Sequence, residues 1–146
     1  MSRKIAREVA FKIIFSNELE FENDTLKELI ENIISDVELV ETTNKNDISS
    51  EDKKYIEQVV SGIAEKREEL DEKIKTYLKG WTMDRISKTD LAILRLAVYE
   101  MLYREDIPCK VSINEAVELA KAFCEETSPA FINGVLAGVV NSLENN

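Results

Sequence analysis

Histidine is absent from all 146 residues, and with it go the commonest general base and the commonest transition-metal ligand. Cysteine–histidine and serine–histidine catalysis are excluded on that ground alone. Cysteine occurs only at Cys109 and Cys124, without metal-ligand spacing, and no signal-peptide pattern precedes the first expected helix. A reduced, cytoplasmic protein is the expectation. No apolar run approaches the roughly 18 residues that a membrane span needs. Neither GxGxxG nor GxxxxGK followed by a hydroxyl residue occurs, which removes the familiar nucleotide cradles. Glycine and proline are scarce too, 4 and 2 residues, so few positions interrupt a helix. No catalytic residue, metal ligand or cofactor-binding residue is assigned.

What is present is Leu, Ile, Glu, Lys and Ala, with 44% apolar residues overall, a mixture that favours long helices around a core. The length suits one ordinary domain that needs no staples. Acids number 29 against 19 Lys and Arg, a formal net charge of −10, and a field of that sign repels phosphate. Any nucleic-acid contact must then be confined to a patch. The stretch SRKIAREVAFKIIF, residues 2–15, offers one, with Arg3, Lys4, Arg7 and Lys12 against Glu8 alone. Cations near a helix N-terminus oppose the macrodipole, so helix stability does not account for them. A solvated helix face is the plainer alternative.

Apolar spacing predicts helices along the chain. From Ser2 to about Leu19, the residues Ile5, Ala6, Val9, Ala10 and Ile13 share one arc at about 100° per residue. Arg3, Lys4 and Arg7 point elsewhere, and Phe11 and Phe15 fall beside the basic group. A second helix carries Leu26, Leu29, Ile30, Ile33, Ile34, Val37 and Val40, and residues 42–47 read as a loop. Ser49 or Ser50 caps a third helix with Tyr55, Ile56, Val59, Val60 and Ile63 inside. Its pattern thins over residues 64–69 and resumes at Leu70, Ile74, Tyr77 and Leu78; two helices with a break there, or one long bent helix, fit this spacing. Gly80 closes the segment. Ser87-Lys88-Thr89-Asp90 and Ser112-Ile113-Asn114-Glu115 read as capping boxes, and Ser128-Pro129 as a hydroxyl cap followed by proline. Arg95 is expected to be buried with an acidic partner that joins the bundles, and Asn133-Gly134 to report close helix approach. The sum is an all-α bundle of six or seven helices.

Four runs in this pattern, AREVA (6–10), DLAILRLAVYE (90–100), IPCKVSINEAVELAK (107–121) and FINGVL (131–136), resemble the NusB family of bacterial transcription antitermination factors over nearly the whole chain. The resemblance implies an all-α fold of two small helical subdomains, about residues 1–80 and 81–146, and a job without chemistry. Family members bind the boxA element of nascent single-stranded RNA, usually with ribosomal protein S10. They help the RNA polymerase antitermination complex read through terminators, notably in ribosomal RNA operons, and they include monomers and homodimers. By position, the resemblance implies RNA contacts for Arg3, Lys4 and Arg7, for Phe15 near that surface, for Asp90 and Phe131, and for Asn133 in the FINGVL motif. Thr127 stands where some members carry an acid. Asp90, whose charge repels phosphate, has to accept from a base donor. Two rival readings are a helical protein-interaction or dimerisation module and the RNA-binding domain of a ribosomal RNA cytosine methyltransferase. The second is disfavoured because the sequence ends at Asn146 without room for a catalytic domain.

Overall fold

A computed structural model describes residues 3–17, 28, 50–80 and 82–144. Among these residues every regular element is helical: α1 (Arg3–Asn17), α2 (Ser50–Thr76), one 3₁₀ turn (Met83–Arg85), α3 (Lys88–Tyr103), α4 (Cys109–Phe123) and α5 (Ser128–Glu144). Of the expected second helix only Glu28 is described, helical and exposed; the rest of it, loop 42–47, the Ser49 cap, the end of the first helix near Leu19 and Trp81 lie outside the described residues.

Two units divide the chain, Met1–Glu65 and Lys66–Asn146. The division falls where the apolar pattern of α2 thins. The backbone does not break there: α2 is one helix of 27 residues, because Ala, Glu, Lys and Arg are strong helix formers even where no apolar face demands them. In the first unit Ala6, Val9, Ala10 and Ile13 of α1 are buried, as are Tyr55, Ile56, Val59, Val60 and Ile63 of α2. In the second, Leu70, Ile74 and Leu78 are buried, and α3, α4 and α5 all pack on one another. Helix α3 is covered on every side from Ala92 to Glu100, which is why its sequence reads as nearly continuous apolar residues with Arg95 and Glu100 as the exceptions.

Those two exceptions are answered inside the second unit. Arg95 Nε and Nη2 donate to the two carboxylate oxygens of Asp71, each at 2.8 Å. This pair ties α2 to α3, and Asp71 is the acidic partner expected for Arg95. Glu100 is 1% exposed and accepts from Ser112 Oγ at 2.8 Å. Ser112 is therefore an interior residue of α4, which begins three residues earlier at Cys109, behind Pro108 in extended backbone. The full capping box expected at Ser112 is corrected: proline fixes the chain direction at the helix start, and the hydroxyl turns inward to a buried acid.

Two glycines sort differently from expectation. A side chain at Gly134 would meet nothing within 4 Å, whereas a Cβ on Gly138 would lie 2.6 Å from Tyr77 Cδ1. The close approach is at Gly138. At the end of α2, Lys79 and Gly80 take φ of 48° and 94°, the left-handed turn that Gly80 tolerates without strain.

Candidate nucleic-acid interface

The α1 patch is narrower than its spacing suggested. Lys4, Lys12 and Phe15 are exposed and Glu8 is half-exposed; at about 100° per residue they span an arc of about 80°. Lys12 Nζ sits 3.8 Å from Glu8 Oε2, so part of that charge is already answered on the helix. Arg3 is the first residue of α1. Arg7 is only 5% exposed, which corrects the expectation that it points away from the buried face. Phe11 and Ile14 are buried as well, so the covered arc is wider than the aliphatic stripe and takes in Arg7. Phe15 is 43% exposed, with its ring centroid 6.2 Å from that of Phe11 and the planes inclined by 28°. One ring is core; the other rests on it and shows its outer face.

The second constellation lies in the Lys66–Asn146 unit. A cleft of about 260 Å³ is lined by Arg85, Ile86, Ser87, Asp90, Thr127, Ser128 and Phe131. It forms where two helices begin. Ser87 Oγ accepts the Asp90 N–H at 3.1 Å, the first half of the expected capping box at α3. Thr127, not Ser128, offers the first carbonyl of α5, accepting from the Phe131 N–H at 3.3 Å. The hydroxyl of Ser128 goes across the cleft instead and donates to Asp90 Oδ2 at 3.1 Å. Both capping readings are corrected to that extent: the second half of each local pattern is exchanged for a bond between α3 and α5.

Asp90 is 9% exposed. Its Oδ1 is buried and has no hydrogen-bond partner, while the positive ends of two helix dipoles favour a negative group at this spot. Nearby, burial first, then a hydrogen bond to Asp90 and the charge of that carboxylate, push the Cys124 thiol from 9.0 up to about 12, with a bond to Ser128 opposing them. Cys124 stays a thiol at neutral pH, a poor nucleophile and a poor metal ligand. Among the described residues no group of Cys, Asp and Glu is disposed to hold a metal ion.

The fold thus brings Asp90 and Phe131 to one cleft. Asn133 is exposed on α5 but lies about 200° round the helix from Phe131 and does not line the cleft. Lys4 and Phe15 belong to the other unit. Sequence reasoning missed Arg85, a cation in the turn just ahead of the α3 cap. It also gave Ser128 only a local role; a hydroxyl at a helix start has several acceptors in reach, and nothing local identifies the distant one.

The model of the NusB family matches residues 4–141. A transcription antitermination protein NusB from Clostridium botulinum (strain Kyoto / Type A2) is 47% identical over 145 residues, covering 96% of this chain and all of that one. Among solved structures, NusB of T. maritima superposes with a TM-score of 0.79 at 31% identity, covering 97% of this chain and 92% of that chain. A chain from a crystal structure of the antitermination factors NusB and NusE in complex with dsRNA gives 0.77 at 25% identity, with 96% of each chain covered. On a match that runs from α1 into α5, the chain belongs to the NusB family.

Proposed function

We propose that this protein is a transcription antitermination factor, an adaptor without catalysis that holds single-stranded boxA RNA together with ribosomal protein S10 (NusE) and promotes read-through by RNA polymerase in the cytoplasm. The observation that carries the reading is the full-length likeness to antitermination proteins, one of which was crystallised with NusE and RNA. The residues supply a physical route. Arg3 and Lys4 at the start of α1 meet phosphates, Phe15 offers a ring face, and the cleft of Asp90 and Phe131 takes a base; Asn133 is a further contact outside the cleft. Arg7, a residue 5% exposed, meets a phosphate only where the groups covering it move aside. The acidic remainder of a chain with net charge −10 discourages indiscriminate adhesion to RNA.

The test is a titration of labelled boxA RNA and a scrambled RNA at two salt concentrations, with and without S10. The expected result is a preference for boxA that grows when S10 is present. Replacing Arg3 and Lys4 together by alanine weakens binding and flattens the slope of log affinity against log salt by about 0.7 for each phosphate left unneutralised on a single strand. Equal retention of both RNAs, unchanged by S10, overturns the reading and leaves a protein-interaction module in its place.

A further inference from the structure

We propose that Ser128 is a positioning residue for RNA binding: its hydroxyl, by holding the Asp90 carboxylate across the cleft, keeps the starts of α3 and α5 in register before any RNA arrives. This rests on the RNA-binding reading above and assigns the order of the site to a side chain that itself touches no RNA. Neither partner of the bond is used up in its own helix. Thr127 already offers the first carbonyl of α5, and Pro129, which lacks an N–H and fixes its own φ, sets the direction of the first turn without help from a side chain. The Ser128 hydroxyl is thus left over for a partner 38 residues away in sequence. Asp90 gives its N–H to Ser87, but its carboxylate is held from outside α3: Oδ2 takes the Ser128 hydroxyl and Oδ1 takes no hydrogen bond.

That single bond controls two side chains of the site. The last torsion of an aspartate is soft and two-fold, so the carboxylate needs a fixed donor to face one way. Ser128 is 6% and Asp90 9% exposed, which leaves little water to take the hydroxyl's place. Phe131 follows Ser128 by three residues, about 300° round α5 and therefore on the same side, and both line the cleft. A tie at Ser128 sets the height and rotation of that first turn, and the ring goes with it. The connection from α4 is short, residues 124–127, and the Cys124 thiol at its head also meets Asp90 and Ser128. One carboxylate thereby gathers the start of α3, the end of α4 and the start of α5. A site ordered in advance binds more tightly, because the ordering is not subtracted from the binding free energy. Loosening it lowers apparent affinity by the fraction of molecules that leave the competent arrangement.

The test is a pair of double-mutant cycles read in affinity for boxA RNA, with S10 present and well below the melting temperature of every variant. Ser128→Ala alone should weaken binding about three- to tenfold, the factor by which the competent arrangement is depleted. The slope of log affinity against log salt should stay that of wild type, because no phosphate contact is removed. In the background of Asp90→Ala, and separately of Phe131→Ala, the same substitution should weaken binding by less than about twofold, since residues that act through one another are not additive. If Asp90→Ala does not fold, the cycle with Phe131 decides. Full affinity in Ser128→Ala beside a lowered melting temperature would make the bond a matter of stability alone. Independent, multiplying losses would mean that Ser128 meets RNA directly. Either result overturns the positioning role while RNA binding itself stands. Failure of the wild-type chain to hold boxA RNA with S10 ends both.

Discussion

Arg95 carries a full charge into the second unit because Asp71 meets it oxygen for nitrogen, at 2.8 Å on both arms. The side chains are 10% and 27% exposed, too sheltered for water to replace the acid on equal terms. A matched fork of this kind is stronger than a single contact, and its loss strands the guanidinium. Asp71→Ala is expected to lower unfolding free energy in urea by about 2–3 kcal/mol, somewhat under the roughly 3–5 kcal/mol of a fully buried broken pair. A loss below about 0.5 kcal/mol would rank the pair with ordinary surface bridges. Cys124 makes a second prediction at this scale. Its thiol ionises near 9.0 in the unfolded chain and at about 12 in the folded one. Below pH 9 both states are neutral and stability is unaffected; above it the unfolded chain releases the proton first, so stability falls as pH rises from about 9 toward 12. Wild type should therefore lose more stability than Cys124→Ala between pH 8 and 11, and parallel loss in the two would show that the folded thiol ionises as readily as the unfolded one.

Helix α5 passes α2's end at Gly138, not at Gly134, although both glycines sit in the same helix four residues apart. The two positions predict opposite outcomes. At Gly134 a methyl group meets nothing within 4 Å, so Gly134→Ala should stabilise by about 0.5–1 kcal/mol through helix propensity alone. At Gly138 the same methyl meets the Tyr77 ring at 2.6 and 3.0 Å, and overpacking of this kind costs about 1–3 kcal/mol. Thermal melting of the two variants checks both signs, and Tyr77→Ala should rescue Gly138→Ala but not improve Gly134→Ala. This pair also marks what a single sequence reveals. Periodicity located α1, α3 and α5 and the inner face of α2, because a helix that buries a stripe must repeat it at three and four residues. It did not reveal which glycine lies under a tyrosine, why the hydroxyls of Ser112 and Ser128 go to acids on α3, or that Arg7 is covered. Each of those depends on a neighbour distant in sequence. For the candidate site, Asp90 and Phe131 were legible through family likeness, while the cleft joining them, with Arg85 at its edge, became visible only when two helix starts were placed side by side.

At the scale of the molecule, one charge imbalance acts on folding and on binding with opposite sign. A chain of net charge −10 repels itself when compact, and added salt shortens the reach of that repulsion from roughly 10 Å at 0.1 M to roughly 3 Å at 1 M. Association with RNA, by contrast, draws on counterions released from its phosphates, and added salt weakens it. Raising sodium chloride from 50 to 500 mM should therefore raise the melting temperature while it lowers affinity for boxA RNA in the same buffer. The two trends separate when the basic residues are removed. Arg3→Ala with Lys4→Ala makes the net charge more negative, so its melting temperature should depend on salt at least as steeply as that of wild type, while its RNA affinity should depend on salt less steeply. A melting temperature indifferent to salt would mean that the acids are already balanced locally, as Glu8 and Lys12 are on α1, and that the overall field is too weak to confine RNA to one patch.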